Sequence, residues 1–200
     1  MNSAKRIVAD RCCGIVIDLQ EFFLRQIEKR ARSLVTVNTS NFVRLLDYFQ
    51  IPIVVTLERP LEFKGPLPNE IGKHLSARAC TFEKNFFDLT KDKTIRRHLA
   101  GLKRRQVIVA GCETDVCVLQ SCLGLLDLGH EVFIVEELIF SSAPQVDAAI
   151  ARMREAGAIF TSYKTLFYEL VEAVEGDARL EKKFAKLGPF PDNLPDTAVR

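Results

Sequence analysis

Several short runs of the sequence are apolar almost without alternation: Gly14 to Leu19 (GIVIDL), Ile51 to Leu57 (IPIVVTL), Gln106 to Ala110 (QVIVA) and His130 to Val135 (HEVFIV). A strand with one wet face alternates polar and apolar residues. A strand that reads as continuous Val and Ile is covered on both faces, as in a parallel sheet held between two helical layers. Ala158 to Thr161 reads as a weaker strand, and Ala79 to Phe82 as another candidate. Helical spacing lies between these runs, at Phe42, Leu45, Leu46 and Phe49, at Val146, Ala149, Ile150 and Met153, and at Phe167, Leu170, Val171 and Val174. Pro144 suits a first helical turn with Ser142 as its cap, and Gly129 and Gly157 sit where helices stop. Strand and helix alternate down the chain. This predicts an α/β, doubly wound (Rossmann-like) three-layer sandwich with a mostly parallel central sheet.

With 200 residues and 48% hydrophobic content, the chain is long enough for one well-buried core. The net charge is +2, with acids and bases interspersed, so neither a nucleic-acid stripe nor a polybasic membrane anchor is predicted. Lys103, Arg104 and Arg105 read as the solvated turn before a buried strand. No apolar stretch approaches the ~18 residues of a membrane span. The polar segment Met1 to Arg11 lacks the apolar core of a signal peptide, so a cytoplasmic protein is expected, its six cysteines reduced. Two regions escape the alternation. Glu58 to Arg78 is rich in Pro and Gly, and loops of that length in compact domains are usually functional or disordered. Residues 177–200 form a charged, then Pro-rich tail, set apart from a domain over 1–176 and open to two readings, disorder or packing on a neighbouring subunit.

Open α/β sheets bind ligands beyond the carboxyl ends of their strands. That rule selects Asp18, Gln20 and Glu21 after the first strand, and Thr56, Glu58 and Arg59 at the end of the second. The strand from Gln106 runs through Gly111 and Cys112 into Cys117, in the first turn of a following helix. Amide N–H groups and the helix dipole favour a thiolate there and can stabilise an oxyanion. Asp18, at a neighbouring strand end, is placed to take the thiol proton, and burial should raise its pKa toward a useful range. Singly, these residues have blander readings. A lone buried cysteine is ordinarily packing, and an Asp at a strand end often only caps a turn. Cys12, Cys13, Cys80 and Cys122 read as core. There is no CxxC or HxxxH pairing, so neither a metal site nor a cofactor is expected.

Three ordered motifs carry a resemblance. Asp18-Leu19-Gln20-Glu21-Phe22-Phe23 resembles a D-x-Q-x-x-F opening. Gly111-Cys112-Glu113-Thr114-Asp115-Val116-Cys117-Val118 resembles a G-x-x-T-x-x-C-V nucleophile turn. Between them, Thr81 to Phe87 (TFEKNFF) resembles the segment that carries a catalytic lysine. Together they resemble the isochorismatase-like cysteine hydrolases, over about Arg11 to Glu175. Within that family the chain looks most like the isochorismatase domain-containing subgroup, through Thr56 to Gly65 and Cys117 to Leu170, with Ser141-Ser142 among the carriers.

The resemblance implies catalytic roles for Asp18, Lys84 and Cys117. Cys117 would attack a carbonyl carbon, Asp18 would deprotonate it and later help to activate water, and Lys84 would favour their anionic forms. A cis peptide in the family's nucleophile turn maps to Cys112–Glu113, and the N–H groups of Glu113 and Cys117 would form the oxyanion hole. Read alone, Lys84 would be a surface lysine. Gln20, Phe23, Arg59, Phe86 and Phe87 are candidate substrate contacts by their place at the predicted site edge, each equally open to a packing or turn role. Departures narrow the reading. Nicotinamidases of the family hold a metal through an Asp and several His after the second strand, whereas this loop has Glu58, Glu62 and only His74. The cysteine argues against enol-ether hydrolysis, and Ala143 stands where the subgroup commonly has Arg. The expected function is hydrolysis of a small-molecule amide or carbamoyl C–N bond through a thioester. The expected partners are a small-molecule substrate and further copies of the chain, as a dimer or larger, with no nucleic acid and no membrane. The alternatives are a catalytically weak binding or assembly module, and redox sensing by Cys117 with Cys112.

Overall fold

The computed structural model describes residues 5–172. Six strands alternate with helices: β1 (Cys12–Ile17), α1 (Glu21–Leu24), α2 (Lys29–Tyr48), β2 (Ile53–Glu58), α3 (Leu61–Lys64), α4 (Asn69–Gly72), β3 (Ala79–Lys84), α5 (Lys93–Leu102), β4 (Gln106–Cys112), α6 (Leu119–Asp127), β5 (Glu131–Phe140), α7 (Asp147–Glu155), β6 (Ile159–Thr161) and α8 (Tyr163–Val171). The sheet order is β3-β2-β1-β4-β5-β6, and every pairing is parallel. The doubly wound sandwich read from the apolar runs is therefore the fold.

The runs lack alternation because both faces of the sheet are dry. Along β1, Cys12 and Val16 pack with α2 and α8, while Cys13, Ile15 and Ile17 pack with α5, α6 and α7. Every residue of β1, β2 and β4 is buried. From β1 the chain winds outward through β2 and β3, then returns to place β4 on the other side of β1. The ends of β1 and β4 thus form the switch point of the sheet, where such folds open a crevice.

Some boundaries differ from the sequence reading. The helix expected from Pro144 starts at Asp147, because Ser142 turns away to Glu113 instead of capping it. Strand β5 runs on to Phe140, and its pairing with β4 jumps from Val109–Ile134 to Gly111–Ile139. That irregularity delivers Ser141 and Ser142 to the turn after β4. Cys80 is only half-buried, since β3 is the sheet edge, whereas Cys12, Cys13 and Cys122 are core as expected. The loop after β2 contains two single-turn helices, α3 and α4. Gly129 and Gly157 end helices at positive φ, as expected. No helix of the described residues is long and apolar enough to cross a membrane. The 177–200 tail lies outside the described residues.

Candidate active site

The switch point holds a buried ionic cluster built from four strands. Asp18 follows β1, Glu58 ends β2, Lys84 ends β3, and Cys117 lies in a π-helical turn (Thr114–Val118) that leads from β4 into α6. Parallel register puts these strand ends level: Ile17 pairs with Thr56 and with Gly111, and Glu58 pairs with Lys84. Gly111 makes the approach possible. At φ 129° it passes so close to Ile17 that a Cβ would overlap the Ile17 carbonyl. The next peptide, Cys112–Glu113, is cis, at the place the motif resemblance assigned. The Glu113 carbonyl then accepts from the N–H groups of Val116 and Val118, which shapes the turn that presents Cys117.

Lys84 is the centre of the cluster. Its Nζ is 2.6 Å from Asp18 Oδ2, 3.0 Å from the Phe86 carbonyl oxygen, 3.5 Å from Cys117 Sγ and 3.7 Å from Glu58 Oε2. Neither Lys84 nor Asp18 is exposed to solvent. Asp18 Oδ1 accepts from the Thr56 hydroxyl at 2.8 Å. The Asp18 main chain, at φ 49°, receives the Cys112 thiol and the Gln20 N–H on its carbonyl and donates its own N–H to Thr56. Cys117 Sγ donates to Glu58 Oε2 at 2.9 Å. Glu58 is held in turn by the Lys64 ammonium on Oε1.

Burial raises the Asp18 carboxyl, and the Lys84 charge together with hydrogen bonds from Thr56 and Cys117 pulls against it. Burial would also raise Glu58, but hydrogen bonds from Cys117 and Lys64 and the Lys84 charge outweigh it, and its net shift is downward. Burial works against the charged form of Lys84, yet the Asp18 carboxylate, with Glu58 behind it, holds its ammonium above the usual range. Burial, then the neighbouring carboxylates, push the Cys117 thiol upward, with Lys84 opposing. Burial first, and then the two carboxylates that share its pocket, work against the preference for thiolate that a helix start confers.

Asp18, Glu58 and Cys117 each offer a ligand atom, all within 4.8 Å of one another. Lys84 already sits among them as their cation, so the set does not fit a metal ion without displacing an ammonium.

The candidate substrate contacts fall into two groups. Gln20 is fully buried: its amide donates to the carbonyls of Glu58 (3.2 Å) and Gly65 (2.7 Å) and accepts from the Glu58 N–H (2.7 Å). Phe23 is core, with the Lys64 ammonium 5.7 Å from its ring centroid. Neither faces an open cleft; both hold the Glu58 end of the site. Phe86 and Phe87 are exposed, beside Lys84 and Ser121 respectively. Arg59 is on the surface, ion-paired to Glu83 at 2.8 Å. Glu58, which the sequence marked only as a strand-end acid, is the residue that reasoning underrated. Beyond the nucleophile turn, Glu113 Oε2 accepts from both hydroxyls of Ser141 and Ser142 and from the Ser142 N–H, while Asp115 also accepts from Ser141 at 2.5 Å. These bonds tie the end of β5 to the turn that carries Cys117.

Residues 12–165 match the isochorismatase domain family. The chain is 31% identical over 170 residues to a secreted isochorismatase effector, Isc1, of Phytophthora sojae, a match over 82% of this chain and 79% of that protein. It is 30% identical over 195 residues to the isochorismatase domain-containing protein 2A of Mus musculus, covering 96% and 90%. Among solved structures, the MAR1 ribonuclease of Caenorhabditis elegans superposes with a TM-score of 0.81 at 25% identity, covering 98% of this chain and 95% of that one. The YcaC product of Escherichia coli, described as an octameric hydrolase of unknown specificity, gives 0.83 at 21% identity, covering 94% and 91%, a likeness of fold.

Proposed function

The chain belongs to the isochorismatase family, and from that premise we propose that it is a cysteine hydrolase cleaving a small-molecule amide or carbamoyl C–N bond through a thioester. One observation carries this reading: a buried thiol, Cys117, in contact with both a lysine ammonium and a carboxylate, with a second carboxylate within 4.8 Å. A buried cysteine kept only for packing needs none of these partners. In the proposed cycle Cys117 Sγ attacks the carbonyl carbon, and the N–H groups of Glu113 and Cys117 receive the developing oxyanion. Asp18 is the general base toward the hydrolytic water, and Lys84 stabilises the anions formed beside it. Water then releases the acid. Phe86, Phe87 and Arg59 are the substrate contacts that remain accessible. The cycle needs neither a metal nor a cofactor, since Lys84 supplies the positive charge.

The reading includes a cytoplasmic setting and assembly into a dimer or larger oligomer. Enclosure of the four charged and thiol groups supports a small ligand over a polynucleotide.

The test is ammonia release from a panel of small amides, ureas and carbamoyl compounds, with Cys117→Ala as control. Turnover that vanishes in the variant is expected. Turnover that survives it would overturn the nucleophile. Silence across the panel, together with a Cys117 no more reactive toward alkylation than Cys122, would favour the binding-module alternative.

A further inference from the structure

The cluster contains one more carboxylate than a cysteine hydrolase of this design needs. The 2.9 Å hydrogen bond from the Cys117 thiol goes to Glu58 Oε2. Asp18 also lies beside the sulfur, but its Oδ1 accepts from the Thr56 hydroxyl and its Oδ2 is ion-paired to the Lys84 ammonium at 2.6 Å. Glu58 is also a built feature. Gln20 clamps its backbone from both sides, and Lys64 occupies Oε1, bracing itself on the Arg59 carbonyl at 2.9 Å. That leaves Oε2 as the oxygen turned to the sulfur. The Glu58 side chain is 11% exposed, so a proton placed on it is partly sheltered from bulk water.

We infer that Glu58 is the acid–base group of the acylation half-reaction, taking the proton of Cys117 and passing it to the departing nitrogen. The inference rests on the reading of Cys117 as a hydrolytic nucleophile. As the S–C bond forms, the thiol proton moves along the existing hydrogen bond to Glu58 Oε2, and the carbonyl becomes an oxyanion. When that intermediate collapses the C–N bond breaks, and the nitrogen leaves as an amine or ammonia carrying the proton from Glu58. The carboxylate is then regenerated. Asp18 is left for the second half-reaction, in which it takes a proton from water, hydroxide adds to the thioester, and the proton returns to sulfur as the acid departs. The two carboxylates divide the cycle, and Glu58 favours substrates whose leaving atom needs a proton, which is a property of nitrogen.

Acrylamide is a suitable probe. Its addition joins Cys117 sulfur to the β-carbon rather than to a carbonyl carbon, but it makes the same demand on the thiol proton, which is accepted from sulfur and then delivered to the α-carbon. The rate of Cys117 adduct formation near neutral pH would be followed by intact mass and peptide mapping in the wild type, Glu58→Gln, Glu58→Asp and Cys117→Ala. Loss of a positioned acid–base group predicts a rate about 100-fold lower in Glu58→Gln, with partial recovery in Glu58→Asp, each rate read well below that variant's own melting temperature so that folded protein is compared with folded protein. A Glu58→Gln rate within twofold of wild type would overturn the role of Glu58 while leaving Cys117 as nucleophile. If wild-type Cys117 reacts no faster than the buried Cys122, the nucleophile reading fails and this inference falls with it.

Discussion

Lys84 Nζ lies 2.6 Å from Asp18 Oδ2, and neither side chain has any surface exposure. Removing one member of such a pair leaves the other as an uncompensated buried charge, at a cost of about 3–5 kcal/mol. Lys84→Met should therefore be destabilised by that amount in chemical denaturation. Lys84→Met combined with Asp18→Asn should recover more than half of the loss, since the stranded carboxylate is gone. Additive losses in the double variant would mean that the two residues act independently.

The downward shift of Glu58 makes a separate prediction about stability and pH. A carboxylate whose folded pKa lies below its unfolded value contributes stability that is present above the unfolded pKa and lost as pH falls through the folded one. Wild type should melt higher than Glu58→Gln at pH 7, and the gap should close below the ordinary glutamate range of about 4. Melting curves from pH 3 to pH 7 on both proteins check this. A gap that stays constant would show that the charge of Glu58 plays no part.

A free thiol with a pKa well above neutral reacts about tenfold faster for each pH unit gained, because only the thiolate attacks. Cys12, Cys13 and Cys122, pushed up to about 12 by burial in the folded protein, return to the ordinary thiol range of about 8.5 on unfolding and should then behave this way from pH 6 to pH 8. Cys117 is pushed up as well, but it has a carboxylate at its hydrogen atom. Its modification by iodoacetamide in the folded protein should be nearly flat from pH 6 to pH 8. A tenfold rise per unit would mean that no internal base serves it.

The parts of the site differ in how far they can be read from sequence, for physical reasons. Strands β1, β2 and β4 were legible because they are dry on both faces, and the strand-end rule then led to Asp18 and Cys117. Lys84 follows from no local pattern. It ends a half-exposed edge strand, and only its position between two other motifs singled it out. Glu58 was visible as a strand-end acid but not as a partner of Cys117, since that contact joins residues 59 apart and depends on the strands standing level. Gln20 and Phe23 fall just beyond the first strand end, where a ligand is expected. Which way a one-turn helix faces is set by tertiary packing, and here it turns both inward.

Gly111 gives a prediction about geometry. A methyl group there would meet the Ile17 backbone, and φ 129° is costly for any L-residue. Gly111→Ala should lose on the order of 2 kcal/mol or more. Its adduct formation with acrylamide should also fall, because separating β1 from β4 moves Asp18 away from Cys117. A stable, fully reactive Gly111→Ala would show that the close approach is dispensable.

The left-handed backbone of Asp18 has a consequence for how the site can be dissected. Its N–H and carbonyl are tied to β2, to Cys112 and to Gln20 through main-chain groups that do not sense the side-chain charge. Asparagine tolerates the same conformation. Charge and architecture are therefore separable at residue 18: the carboxylate can be neutralised while the scaffold around it stays put. At residue 84 they are not, because the one ammonium is both an electrostatic partner and the tie that gathers three strand ends and a helix turn. A change in rate is thus interpretable as chemistry at the first position once the stability lost by stranding the Lys84 ammonium is measured, and at the second only if the gathered strand ends are also shown to keep their places.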